Sequence, residues 1–158
     1  MNTDFLDPKN IDQWKDLFIE TNDLYQKVKV ANPVEIAEGE VLSLDQINSE
    51  TLKAEKAMDE LIIPKRRANR LKDVAERWKR NEINKGIREA SKNREEYPNQ
   101  LAQKAHGEEI AEEYFKLCEL AKDLIEGIHD ERSRLYMYKK SLIDIGHNTR
   151  LERKMESK

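Results

Sequence analysis

Between residues 110 and 145 the side chains recur in alternating steps of four and three: Ile110, Tyr114, Leu117, Ala121, Leu124, Ile128, Glu131, Leu135, Tyr138, Leu142 and Ile145, with Glu131 the one charged member. A repeat averaging 3.5 residues keeps one narrow helix face apolar, and it fits neither the period of two of a strand nor a structureless segment. A chain with this seam must lay a long helix against at least one other. Residues 108–156 are predicted to form it, a rod of roughly 70 Å at 1.5 Å per residue.

The rest of the chain offers little else to bury. Charged residues make up 39% and hydrophobic ones 37%, with five Gly and four Pro, a balance that typically marks long helices rather than a thick core. Its 158 residues suit one domain. Thin apolar stripes leave a lone monomer marginal, so a homo-oligomer or a complex with another protein is expected. A single cysteine, Cys118, leaves no internal disulfide framework and suits a reducing compartment. The opening residues lack a basic stretch followed by an apolar run, and no segment approaches the length of an apolar membrane span, so the expected location is cytoplasmic with no membrane partner.

Punctuation divides the chain into three parts. Residues 1–30 are predicted to hold an N-terminal amphipathic helix that opens at Asp7 and Pro8 and carries Ile11, Trp14, Phe18, Tyr25 and Val28 on one face. Residues 31–43, with Asn32, Pro33 and Gly39, read as a linker. Residues 44–158 read as a helical hairpin, entered through a capping box at Ser43 and Gln46. Its first arm, 44–97, is kinked at Pro64; the turn is expected at 98–107, around Pro98, Asn99 and Gly107; the second arm is 108–156.

Charge suggests how the arms pair. Residues 65–94 hold twelve basic and four acidic side chains, whereas residues 95–131 hold three basic and eleven acidic ones. Folding at the turn places these blocks side by side and brings the acidic stretch 45–60 alongside the basic C-terminus. In that register Gly86 faces Phe115 and Gly127 faces Trp78, each glycine making room for a ring. The expected fold is therefore all-α: a long antiparallel coiled-coil helical hairpin with an additional N-terminal amphipathic helix.

Candidate chemistry is sparse. Glu108, Glu109, Glu112 and Glu113 place carboxylates one turn apart, which resembles the metal-holding pairs of all-helical magnesium-dependent nucleotide pyrophosphatases over about one turn. No second pair has the matching spacing. Glu126 and His129 form one Glu-x-x-His element where a di-iron bundle uses two, and no glycine-rich phosphate loop or nucleophile motif is present. No cofactor, metal site or enzymatic activity is expected.

The expected role is that of a protein-interaction protein, an adaptor, assembly factor or inhibitor. Its partner-facing surface is assigned to Trp14, Phe18, Tyr25, Cys118, Ile125, Tyr136, Met137 and Ile143, which widen the apolar stripe beyond what one helix covers. Either the N-terminal helix or a second copy of the chain could cover part of it. The alternative is a nucleic-acid accessory protein that uses Lys65, Arg66, Arg67, Arg70, Arg77, Lys79 and Arg80 with the basic tail from Arg150. It is the less economical reading, because the acidic arm already offers those cations a partner.

Overall fold

A computed structural model describes residues 10–31 and 42–156, apart from the side chains of Arg153 and Glu156. The helix start expected at Asp7 and Pro8, the linker residues Asn32, Pro33 and Gly39, and the last two residues of the basic tail lie outside them. The described chain is all-α. Its helices are α1 (Ile11–Ala31), α2 (Leu44–Glu60), α3 (Ile62–Ala90), α4 (Gln100–Ile110) and α5 (Glu112–Glu156), with no strand among the described residues.

Local chemistry sets the helix ends. Ser43 and Gln46 form the expected capping box, the Ser43 hydroxyl accepting from Gln46 N–H at 3.2 Å and the Gln46 side chain accepting from Ser43 N–H at 2.8 Å. Pro64 sits in the first turn of α3, where its missing N–H costs nothing, and α2 ends just ahead of it with Leu61 as its cap. Asn99 takes extended dihedrals, and its side chain accepts from Ala102 N–H at 2.9 Å, starting α4.

The chain forms two compact units, Met1–Thr21 with Arg66–Ile125, and Asn22–Lys65 with Glu126–Lys158. In the first, Trp14, Leu71, Val74, Ala75, Trp78, Leu117, Cys118 and Ala121 make one buried cluster. The Trp14 indole N–H donates to the carbonyl of Leu71 at 3.0 Å, and its ring stacks on Phe18 at 5.5 Å. Trp78 meets Tyr114 edge-on at 6.0 Å, and the Lys79 ammonium lies 4.9 Å from the centre of the Phe115 ring.

Three expectations fail in this unit. The second arm, expected unbroken over 108–156, is interrupted at Ala111, where α4 ends and α5 begins. The turn lies at residues 91–99, and Gly107, expected inside a turn at 98–107, is a buried residue of α4. Nor does Gly86 face Phe115. A Cβ on Gly86 would stand 2.7 Å from the Cα of Gly107, and one on Gly107 would stand 2.6 Å from the carbonyl oxygen of Ile83. Both glycines are there because two helix backbones touch, which outweighs the cost of about 1 kcal/mol that glycine carries inside a helix. The expected register rested on charge, and exposed pairs contribute only about 0–1 kcal/mol. Close backbone packing decides instead.

In the second unit the buried side chains include Tyr25, Val28, Ile47, Ala54, Ala57, Leu61, Ile128, Leu135 and Leu142. The Tyr25 hydroxyl donates to the Gly127 carbonyl at 3.0 Å, so the ring beside Gly127 is Tyr25 rather than the expected Trp78. Lys139 pairs with Glu55 at 2.6 Å, and the Tyr138 hydroxyl reaches Glu50 at 3.4 Å, which realises part of the expected pairing of acidic 45–60 with the basic C-terminal half. Glu131 is buried on the seam, and both of its oxygens accept from Arg134, at 2.6 and 3.1 Å.

Two glycine-to-alanine substitutions separate a forced backbone contact from an ordinary van der Waals one. Gly86→Ala is expected to destabilise by about 1–3 kcal/mol despite better helix propensity, because backbone must move. Gly127→Ala, whose new methyl finds the Tyr25 hydroxyl oxygen at 3.4 Å, is expected to be neutral or to gain up to about 1 kcal/mol. Thermal or urea unfolding that ranks the two variants the other way would contradict this packing.

Candidate functional site

The eight side chains expected to face a partner separate by burial. Trp14, Tyr25 and Cys118 are core residues, all but sealed from solvent, and so offer no surface to another molecule. Their apolar faces are satisfied inside the chain: Trp14 and Cys118 belong to one buried cluster, and Tyr25 packs at Gly127. Phe18 and Ile125 are half-buried. Tyr136, Met137 and Ile143 are exposed, at 58%, 58% and 51% of their surface.

These three lie on α5 together with Leu151, an exposed residue off the seam. Leu151 follows Ile143 by eight positions as Ile143 follows Tyr136 by seven, so at 100° per residue they share one side of the helix. Leu135, Leu142 and Gly146, all buried, lie on the adjoining side, about 60–100° round the axis from Ile143. The spacing was present in the sequence, but the stronger repeat of the seam beside it hid it.

The acidic quartet is occupied with neighbouring lysines. Glu108 pairs with Lys104 at 3.6 Å, Glu112 with Lys116 at 2.7 Å and Glu113 with Lys15 at 3.4 Å. The hydrogen bond from Lys116 holds the Glu112 carboxyl below its ordinary value. Among the described residues, no three His, Cys, Asp or Glu side chains gather as a metal-binding group. An open groove of about 650 Å³ in the second unit is lined by Tyr25, Lys29, Val30, Gly127, Glu131 and Arg134, and its buried carboxylate already has its cation.

The basic residues are disposed otherwise. Arg66, Arg70, Arg77 and Arg80 are exposed, whereas Lys65, Arg67 and Lys79 are half-buried, Lys79 over the Phe115 ring. Arg150 and Lys154 in the tail are exposed. No helix among the described residues is long and apolar enough to cross a membrane.

Comparison with protein-family models, curated proteins and solved structures finds no match for this chain.

Burial pushes the Cys118 thiol above its ordinary pKa, nearby lysines offsetting this only in part. Iodoacetamide at mildly alkaline pH is expected to alkylate Cys118 about a hundredfold more slowly in the native protein than in urea, since reaction must await local opening. A native rate equal to the unfolded one would return Cys118 to the surface.

Proposed function

We propose that the protein is a non-enzymatic helical interaction module of the cytoplasm, an antiparallel hairpin of coiled-coil type that serves as an adaptor, assembly factor or inhibitor. One observation carries this reading: Tyr136, Met137, Ile143 and Leu151 are exposed on α5 in a sector that adjoins its buried seam. A helix whose apolar side chains extend well beyond its buried seam has more to bury than its own fold covers. The free and buried Cys118 is compatible with a reducing compartment.

Magnitudes favour a partner that adds contacts of its own. Covering four half-exposed side chains yields roughly 1 kcal/mol apiece. Association costs on the order of 4 kcal/mol or more in lost translational and rotational freedom. A second copy docked through this stripe alone therefore binds weakly, and a protein with a complementary groove, taking the stripe as a helix in a groove, binds better.

A photo-reactive residue in place of Met137, introduced in the native cell, is expected to capture a second polypeptide. Ile143→Glu should abolish that capture while leaving helicity unchanged. Equal capture from a probe at exposed Lys56 on α2, or none from Met137, would overturn the reading.

A further inference from the structure

The basic stretch of α3 is an ordered line rather than a diffuse block. Arg66, Arg70, Arg77, Arg80 and Arg88 are separated by four, seven, three and eight residues, so at 100° per residue they fall within a narrow sector of the helix. All five are exposed, and the helix turns its buried residues Leu71, Ala75 and Trp78 to the other side. From Arg66 to Arg88 the line runs for roughly 33 Å along a single helix.

Four of its five cations are not consumed by carboxylates among the described residues. The ion pairs of Lys72 with Glu76 and Lys85 with Glu82 stay within α3 and use lysines off the line. Arg66, Arg77, Arg80 and Arg88 have no carboxylate within 4 Å among the described residues. The acidic arm therefore does not neutralise these four arginines. One carboxylate, Asp73, interrupts the row, and Asn81 and Asn84 sit between Arg80 and Arg88. There a shallow groove of about 390 Å³ is lined by Asn81, Asn84, Lys85, Arg88, Glu89 and Lys92.

We propose that this arginine line binds the phosphate backbone of a double-stranded nucleic acid. The chemistry of the face selects that ligand. Every cation on the line is arginine, whose planar fork takes phosphate oxygens in pairs, and the asparagine amides between them are further donors. From Arg66 to Arg88 the sector holds no apolar side chain, so it lacks the aromatic or aliphatic centre through which proteins grip one another. It holds no aromatic ring on which unpaired bases could stack, which disfavours a single strand. Its length is close to one turn of duplex, roughly 34 Å. The inference is independent of the apolar stripe on α5.

Fluorescence anisotropy with the full chain and a labelled DNA duplex of about 24 base pairs tests it, across salt of roughly 50 to 200 mM, with an RNA duplex and a single strand of the same sequence beside it. Binding is expected, with log K falling against log salt at a slope of about −4, as for four or five phosphate contacts. Arg77→Glu with Arg80→Glu should weaken binding at least about tenfold and flatten the slope by about 2. Lys53→Glu with Lys56→Glu on α2 makes the same change in net charge and should weaken it less than about threefold. If the first pair does not fold, Arg77→Gln with Arg80→Gln replaces it.

Whichever duplex binds more tightly identifies the natural backbone. No duplex binding at low salt, equal loss from the α2 pair, tighter binding of the single strand, or displacement by poly-glutamate as effective per charge as by unlabelled duplex would each overturn the proposal.

Discussion

Leu117, Ala121, Leu124, Ile128, Leu135 and Leu142 leave water along one line of α5, and in a chain so rich in charge there is little other apolar surface to hide. Each leucine or isoleucine on that line contributes about 1.5–3 kcal/mol when fully covered. The neighbouring helices follow from the need to cover it. In the first unit Trp14, Leu71 and Trp78 share a cluster with Leu117, Cys118 and Ala121. In the second, Tyr25 closes on Gly127, and Ile47 reaches within 3.3 Å of where a Cβ on Gly146 would stand. The glycines of α5 leave room for bulky side chains, Gly127 for the Tyr25 ring and Gly146 for Ile47.

Glu131 is the one charge on that line, and it is buried with the rest. A buried carboxylate pays heavily for leaving water, so its twofold hydrogen bonding to Arg134, whose side chain is 41% exposed, is what makes the position tolerable. An apolar residue there would pack at least as stably. Because Arg134 follows three residues later on the same helix, the pair is local to α5 and travels with it.

The helical character and the seam were legible because period and capping are local properties. Ser43 with Gln46 announced α2, and Pro64 marked the break after Glu60. The four-three repeat picked out Leu117, Ala121, Leu124, Ile128, Glu131, Leu135 and Leu142 as buried, though Tyr114, Tyr138 and Ile145 are half-buried, Ile110 is exposed on α4, and buried Cys118 and Gly146 lie off the repeat. Partner choice was not legible. Gly107 looked like a turn residue because a glycine in a polar segment usually is one, and only the close approach of Gly86 shows otherwise. Trp14, Tyr25 and Cys118 looked like an unpartnered surface because the sequence does not say that α1 folds onto α5. Summed charge misled as well: it counts residues without regard to side, and Lys72, Lys85, Lys104, Lys116 and Lys122 all pair with glutamates on their own helices.

The contact between Gly86 and Gly107 also governs where this chain can change length. An added residue within 79–85, between buried Trp78 and Gly86, rotates that glycine by about 100° relative to the core side of α3 and swings a side chain into the space between the backbones. The nine residues from Ser91 to Asn99 belong to neither helix and can absorb an insertion as extra loop. Across related chains that connector is where gaps should accumulate, while the helical stretches on either side keep their count.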